Sequence, residues 1–258
     1  MDIIVLIKQV PATESIVSIS PDRKEIQETD LKWIMNPYDE LAVEEALQIQ
    51  AEKGGTVTVV AVGSDRAVDT VRTALAMGVD TAVLINDPAV INEGDYAIGE
   101  VLAAAVSKLP YDLILTGHRT VDTDSWLSPF VVAETLGLPV ASLVTKVTIV
   151  DDKAVCERTV DNGIATVEVT LPAILTTQRG LNEPRYASLP GIMKAKKKPL
   201  EIKNLAELGI TLTTKASGER VGLKTPPKRA VGHILQGQSV EEMAKELVKG
   251  LRENAKVI

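Results

Sequence analysis

Cysteine and histidine are rare in this sequence. Its 258 residues include one cysteine, Cys156, and two histidines, His118 and His233. A single cysteine excludes an internal disulfide and is typical of a protein from a reducing compartment. The histidines have no histidine or cysteine neighbours along the chain, so we expect no metal site. Cys156 lies in an alternating stretch, which indicates a small packed side chain rather than a nucleophile.

Aromatic residues and long apolar runs are also scarce. Only 3% of the residues are aromatic and 45% are hydrophobic, so the core must be built from aliphatic side chains. That composition favours a layered α/β fold. No stretch reaches the roughly 18 apolar residues of a membrane-spanning helix, and the apolar start is interrupted at Lys8. We therefore expect a soluble, cytoplasmic protein without direct membrane insertion.

Positive charge is deficient overall. The chain has 28 basic and 35 acidic residues and a net charge of −7. General nucleic-acid binding requires a broad basic surface, so we expect no nucleic-acid partner. The P-loop, the G-x-G-x-x-G pattern and the G-x-S-x-G nucleophile elbow are absent from the sequence. These absences predict a protein that holds cofactors rather than a reaction centre.

Apolar runs and helical patterns alternate in the first half of the chain. The first helix is predicted to have Asn36 as its cap, Pro37 in its first turn and Gly54 at its end. The second is predicted to be capped by Ser64. This alternation predicts a doubly wound parallel sheet of Rossmann type. The predicted strands are 3–7, 56–62, 81–85 and 112–117, and the predicted helices are 36–53, 64–78, 95–109 and one through 130–137.

After Pro139 the pattern changes to short, alternating segments separated by turn residues. Such segments predict antiparallel hairpin strands added to the parallel core. The four predicted strands are 142–150, 153–160, 163–171 and 173–177.

The end of the chain predicts a separate arm. We divide the chain into an α/β domain, 1–230, and a C-terminal arm, 231–258. The arm contains a predicted helix, 239–254, whose apolar residues form one stripe at helical spacing. A lone terminal helix must pack this stripe on its own domain or on a partner subunit. The stripe consists of Val240, Met243, Ala244, Leu247, Val248 and Leu251.

Three loops that follow predicted strands are candidates for a nucleotide site. Ligands of open parallel sheets bind at the carboxyl ends of strands, where helix N-termini offer N–H groups to anions. These segments are 6–15, 61–65, which contains Gly63, and 116–128, which contains Gly117. A structural alternative stays open, in which Gly63 forms a tight turn and Asp122 and Asp124 cap a helix.

Four segments give the sequence a family resemblance. They are "NPYDELAVEEAL" (36–47), "TVRTALAMG" (70–78), "ERTVDNG" (157–163) and "LNEPRYASLPGIMKAKKK" (181–198). Together they resemble the β subunit of electron transfer flavoprotein, and the resemblance extends over nearly the whole chain. It implies an adenine nucleotide α hydrolase-like fold and a heterodimer with an α subunit that carries most of a redox-active FAD.

The resemblance also implies a function. Such proteins carry electrons from flavin dehydrogenases, typically acyl-CoA dehydrogenases of fatty acid β-oxidation, to a quinone oxidoreductase or another acceptor. The location would be the cytoplasm, or the mitochondrial matrix in a eukaryote. A first alternative is a bifurcating flavoprotein that oxidises NADH. A second is a nucleotide-binding regulatory module of universal-stress type, which the segment 181–198 argues against.

The segment 181–198 resembles the family's recognition loop, and we use that name for it. The resemblance implies that Leu189 anchors in a pocket of the partner dehydrogenase. In most protein–protein interfaces, a few such anchor residues supply most of the binding energy. The lysines at 194, 196, 197 and 198 would steer an acidic partner surface. The partner-binding residues that we predict are Leu189, Pro190, Ile192, Met193, Lys194 and Lys197.

The resemblance further implies an adenine nucleotide in the β subunit, which is AMP in ordinary members and a second FAD in bifurcating ones. Trp126 and Leu127 stand where the family has a small or polar residue and glutamine, and Thr13 matches bifurcating relatives. The recognition loop matches the AMP type, so we predict AMP, with a second FAD as the alternative. The predicted cofactor-binding residues are Leu6, Val62, Gly63, Asp122, Asp124 and Ser128.

Overall fold

A nine-stranded sheet forms the centre of the protein in the computed structural model, which describes residues 1–91, 93–212, 221–227, 231–237 and 239–258. Four further short strands form two small ribbons beside it. The strands, in chain order, are β1 (Asp2–Ile7), β2 (Gln9–Pro11), β3 (Ser18–Ile19), β4 (Ile26–Gln27), β5 (Trp33–Met35), β6 (Thr56–Val62), β7 (Thr81–Ile85), β8 (Leu113–Gly117), β9 (Val140–Val150), β10 (Lys153–Val160), β11 (Gly163–Thr170), β12 (Ala173–Thr177) and β13 (Leu200–Lys203).

Helices cover both faces of this sheet. They are α1 (Pro37–Lys53), α2 (Ala67–Met77), α3 (Pro88–Ile91), α4 (Asp95–Val106), α5 (Leu127–Leu136), α6 (Leu189–Ala195), α7 (Leu205–Leu208) and α8 (Val240–Gly250), which continues into a π-helical turn (Leu251–Ala255).

The strand order is β11-β10-β9-β12-β8-β1-β6-β7-β13. Every neighbouring pair from β9 to β13 is parallel, and only β10 and β11 are antiparallel to their neighbours. The predicted doubly wound parallel sheet is thereby confirmed. From β1 the chain first builds outward through β6 and β7, then crosses to β8 on the other side. The strand order therefore reverses between β1 and β8.

Each central strand is buried on both faces. In β1, Ile3, Val5 and Ile7 pack in a core with α1 and α2, whereas Ile4 and Leu6 pack in a second core with α4 and α5. A strand with helices on both sides must be apolar at successive positions, which explains its continuous apolar run.

The prediction for the last hairpin strand was wrong. Residues Ala173–Thr177 form β12, which lies between β8 and β9 and runs parallel to both. All five of its residues are buried, so the segment has the unbroken burial of a central parallel strand rather than the alternation of a hairpin. The short edge strand β13, in which two of the four residues are exposed, was also not predicted.

One helix cap was predicted wrongly, and another was predicted correctly only in its position. Asn36 is the N-cap residue of α1, as predicted, but its side chain makes no capping hydrogen bond. It donates to Asp39 Oδ1 at 2.9 Å and to the Arg119 carbonyl at 2.9 Å, and it thereby ties the helix start to another loop. Helix α2 begins at Ala67, because residues 64–67 form a turn in which the Ala67 N–H donates to the Ser64 carbonyl at 2.8 Å.

Close packing of α4 on α5 depends on Gly99. A Cβ at this position would lie 2.6 Å from Val131 Cβ and 3.1 Å from the Ser128 carbonyl oxygen. We expect Gly99→Ala to destabilise the protein by about 1–3 kcal/mol, because overpacking outweighs the better helix propensity of alanine. The free energy of unfolding from urea denaturation measures this effect.

The control is Gly250→Ala, since Gly250 ends the exposed helix α8 and a Cβ there meets nothing within 4 Å. Its free energy of unfolding should stay equal or rise slightly. Equal stability of the Gly99→Ala and wild-type proteins would contradict the packing argument.

Candidate functional site

A cleft opens at the carboxyl ends of β1 and β8, where the strand order reverses. This is the position at which open α/β sheets bind ligands. Its empty volume is about 600 Å³, counting the space at its open mouth. Apolar side chains come from β1, β6 and α4, and polar ones from the β8–α5 loop. The lining residues are Leu6, Ile7, Lys8, Asp39, Val62, Asp95, Ile98, Leu102, Thr116, Gly117, Arg119, Thr120, Ser125, Ser128 and Pro129.

The carboxylate of Asp39 holds the base of this β1–β8 cleft together. It accepts hydrogen bonds from the Lys8 N–H at 2.7 Å and the Gly117 N–H at 3.0 Å, which end β1 and β8. A third comes from Asn36 Nδ2. Burial raises the pKa of Asp39 to about 7, and the three N–H donors oppose this rise because they favour the carboxylate.

Gly117 allows α1 to approach β8 this closely. A Cβ there would overlap Asp39 Oδ1 and lie 2.7 Å from Tyr38 Cβ. The start of α1 therefore packs directly on the end of β8, which brings the Asp39 carboxylate within reach of both strand ends.

The two acids of the β8–α5 loop pair with cations that line the cleft. Asp122 Oδ2 lies 2.8 Å from Lys8 Nζ, and Asp124 Oδ1 lies 2.8 Å from Arg119 Nη1. Burial opposes ionisation of Asp122, but the Lys8 ammonium and hydrogen bonds hold its pKa below the usual value. The alternative that these acids cap α5 is wrong, because the cap position is Trp126 and no side chain caps the helix.

The predicted cofactor-binding residues divide into three groups in the structure. Leu6, Val62 and Ser128 line the cleft. Asp122 and Asp124 flank it through their ion pairs.

Gly63 lies outside the lining. Its N–H donates to the Ile85 carbonyl at 3.0 Å, and its missing side chain leaves room for Ala67. The turn containing Gly63 thus packs a helix against a strand.

Asp39 was not predicted as a site residue. A signal was present, since Asp39 lies one turn before Ala42 and Val43, on the face of α1 that is buried. An acid at a buried helical position requires partners, and here they are the strand ends.

The recognition loop contains a helix, α6, which was not predicted from the sequence. Ser188 caps it by accepting from the Gly191 N–H at 3.1 Å, and Pro190 lies in its first turn, a favoured position. The exposed fractions are 81% for Leu189 and 64% for Met193. Ile192 is also exposed. The loop therefore presents an apolar patch from one short helix.

Polar contacts fix the beginning of the recognition loop on α1. Arg185 Nε and Nη2 donate to Glu44 Oε2 at 2.7 Å and Oε1 at 2.9 Å. Asn182 Nδ2 donates to Glu45 Oε2 at 2.9 Å and also to the Leu41 carbonyl. A bidentate arginine–carboxylate pair with a buried acid is a strong, directional contact.

One predicted steering lysine has another role. Lys198 Nζ donates to the carbonyls of Leu75, Gly78 and Val79 at 2.5–3.1 Å. It stabilises the carboxyl end of α2, so the prediction of steering was wrong for this residue. Lys194, Lys196 and Lys197 are exposed.

Within the described ranges, no group of three or more histidine, cysteine or acidic side chains is arranged to hold a metal ion. Cys156 is buried, and burial raises the pKa of its thiol to about 11. A thiol that stays protonated at neutral pH is a poor nucleophile. None of the helices in the described part of the chain is long and apolar enough to cross a membrane.

Comparison with known proteins identifies the family. A model described as the electron transfer flavoprotein domain matches residues 24–208. A relative from Bacillus subtilis (strain 168), named electron transfer flavoprotein subunit beta, is 44% identical, and the alignment covers 100% of both chains. The relative of the same name from Sus scrofa is 36% identical over 98% of each chain.

The chain belongs to the electron transfer flavoprotein β-subunit family. The family model spans Asp39, the β8–α5 loop and the whole recognition loop. The full-length relatives extend the similarity to β1 and to the C-terminal arm. This membership decides against a regulatory module of universal-stress type.

The role of Asp39 is testable by Asp39→Asn. The substitution keeps the size but turns an NH₂ group toward a backbone N–H. We expect a loss of about 2 kcal/mol, or a fall in melting temperature of roughly 6 °C. Asp161→Asn, in the exposed turn between β10 and β11, is the matched control and should change little. Equal melting temperatures for the two variants would show that Asp39 does not secure the strand ends.

Proposed function

We propose that the chain is the β subunit of a heterodimeric electron transfer flavoprotein that carries electrons from an acyl-CoA-type flavin dehydrogenase to a quinone oxidoreductase or another acceptor. The observation that carries this proposal is the apolar patch of α6, exposed at Leu189 and Met193 and surrounded by lysines. A soluble carrier needs a surface of this kind, with a small apolar anchor and charges that steer encounter.

We further propose that the β1–β8 cleft holds AMP. Its apolar side, formed by Leu6, Val62 and Ile98, suits an adenine ring. Its polar side has the Lys8 ammonium, the Arg119 guanidinium and the N-terminus of α5, which suit a phosphate. The resemblance of the recognition loop to that of AMP-type members supports AMP over a second FAD.

A second FAD in place of AMP is the competing proposal, and one observation favours it. Trp126 and Leu127 start α5 where AMP-type members have a small or polar residue and glutamine, so the amide that would bind phosphate is missing. The Trp126 ring is 60% exposed and contacts Phe130 edge to face. It therefore leaves a large aromatic surface beside the β8–α5 loop.

The FAD itself is proposed to lie mainly on the α subunit, and the C-terminal arm is proposed to bind that subunit. No residue of α8 is buried, and its apolar stripe is exposed at Val240, Leu247 and Val248. An amphipathic helix is stabilised mostly by packing of its apolar face. The exposed stripe therefore supports docking on a partner chain.

Nucleotide content tests the AMP proposal. The chain is coexpressed with its α subunit, the purified complex is denatured, and the released nucleotides are separated and quantified. We expect one FAD and one AMP per heterodimer. Two FAD and no AMP would overturn the AMP proposal and make NADH the next substrate to test.

Leu189→Ala tests the carrier proposal. Removal of a central apolar anchor should raise the KM of the dehydrogenase for the flavoprotein at least tenfold, and FAD content should not change. Ile164→Ala is the matched control, because Ile164 is a similarly exposed aliphatic residue on β11. If the KM is equal for the Leu189→Ala and Ile164→Ala variants, Leu189 is not part of the docking surface.

A further inference from the structure

Helix α6 is too short to be stable alone. It has seven residues, and isolated helices shorter than about 12–15 residues are marginal in water. Its exposed residues include the apolar patch, so little of its stability comes from burial of that face. The helix must therefore be held by contacts elsewhere on its surface.

Those contacts come mainly from α2. Ala195 is buried, and Gly191 lies directly over the carbonyl of Ala76, so that a Cβ on Gly191 would lie 2.5 Å from that oxygen. The two helices thus pack at their small residues. The end of α2 thereby lies against the first half of α6.

A cation on each side of this contact donates to carbonyls at or just after the end of the opposite helix. Arg72, on α2, donates from Nη1 to the carbonyl of Ala195, the last residue of α6, at 2.6 Å and to that of Lys198, three residues further on, at 2.9 Å. Lys198 donates to the carbonyl of Leu75, in the last turn of α2, and to those of Gly78 and Val79, which follow that helix. Carbonyls at helix ends lack intrahelical partners and attract cations.

We propose that Arg72 and Lys198 are positioning residues for partner docking. Their reciprocal caps hold α6 preformed on α2, so that Leu189 and Met193 are presented to a dehydrogenase in a fixed geometry. Neither residue needs to contact the partner. A preformed surface binds more tightly because less conformational entropy is lost on docking. When the surface is formed only part of the time, the apparent affinity falls in proportion to its populated fraction. This proposal rests on the carrier function proposed above.

The test uses the heterodimer with the substitutions Arg72→Met, Arg72→Lys and Lys198→Met. Arg72→Met should raise the KM of the dehydrogenase for the flavoprotein roughly tenfold and leave kcat unchanged. Arg72→Lys keeps a cationic donor and should recover much of the loss. Measurement at high salt separates this effect from long-range steering, which salt screens.

Hydrogen exchange of the flavoprotein without its partner gives a second readout. Amides of residues 189–198 should exchange faster in Arg72→Met and in Lys198→Met, whereas amides of β1 and β8 should keep their protection. Unchanged exchange in 189–198 for both variants would overturn the proposal. Faster exchange throughout the chain would also overturn it, since that result indicates a general loss of stability.

The Leu189→Ala background separates the two proposals. If Arg72 acts by presenting Leu189, Arg72→Met should add less than about twofold to KM once Leu189 is alanine, because coupled residues are not additive. A tenfold rise in KM caused by Arg72→Met in the Leu189→Ala protein would overturn the positioning role of Arg72. If Leu189→Ala alone leaves KM unchanged, the carrier proposal fails instead. Hydrogen exchange then still tests whether Arg72 and Lys198 hold α6 on α2.

Discussion

At the carboxyl ends of the neighbouring parallel strands β1 and β8, backbone N–H groups have no hydrogen-bond partner in the sheet. A buried donor without a partner destabilises the folded state. In this protein the Asp39 carboxylate meets that requirement for β1 and β8 at once. Asn36 then links the same carboxylate to the β8–α5 loop through Arg119 and Val121. The cleft, the loop that borders it and the start of α1 are therefore one hydrogen-bonded unit.

Much of the fold could be predicted from sequence, because central parallel strands are recognisable as unbroken apolar runs and α1 has clear end signals at Pro37 and Gly54. Pairing partners could not be predicted in the same way. Residues Ala173–Thr177 were assigned correctly as a strand, but their place between β8 and β9 depends on contacts distant in sequence. The roles of some polar side chains could not be predicted either. Asn36 and Lys198 form hydrogen bonds with residues that are distant in sequence, which local sequence patterns do not reveal.

The candidate site shows the same division. Leu6, Val62 and Ser128, which were predicted to bind a cofactor, line the cleft, whereas Asp39 was not predicted as a site residue. Both cations beside the cleft are already paired with acids, Lys8 with Asp122 and Arg119 with Asp124. Under the AMP proposal, the phosphate would have to share or displace these carboxylates, so its affinity would depend on exchange of ion-pair partners rather than on free positive charge.

The recognition loop is also a crossover connection. It joins β12, near the middle of the sheet, to β13, at its edge, and four strands lie between them. At about 4.8 Å per strand the chain must travel roughly 24 Å across α1 and α2. The recognition loop therefore also serves as a strap whose length is set by the width of the sheet. Residues can be exchanged along such a strap more readily than they can be deleted from it, since shortening it would pull the edge strand out of register.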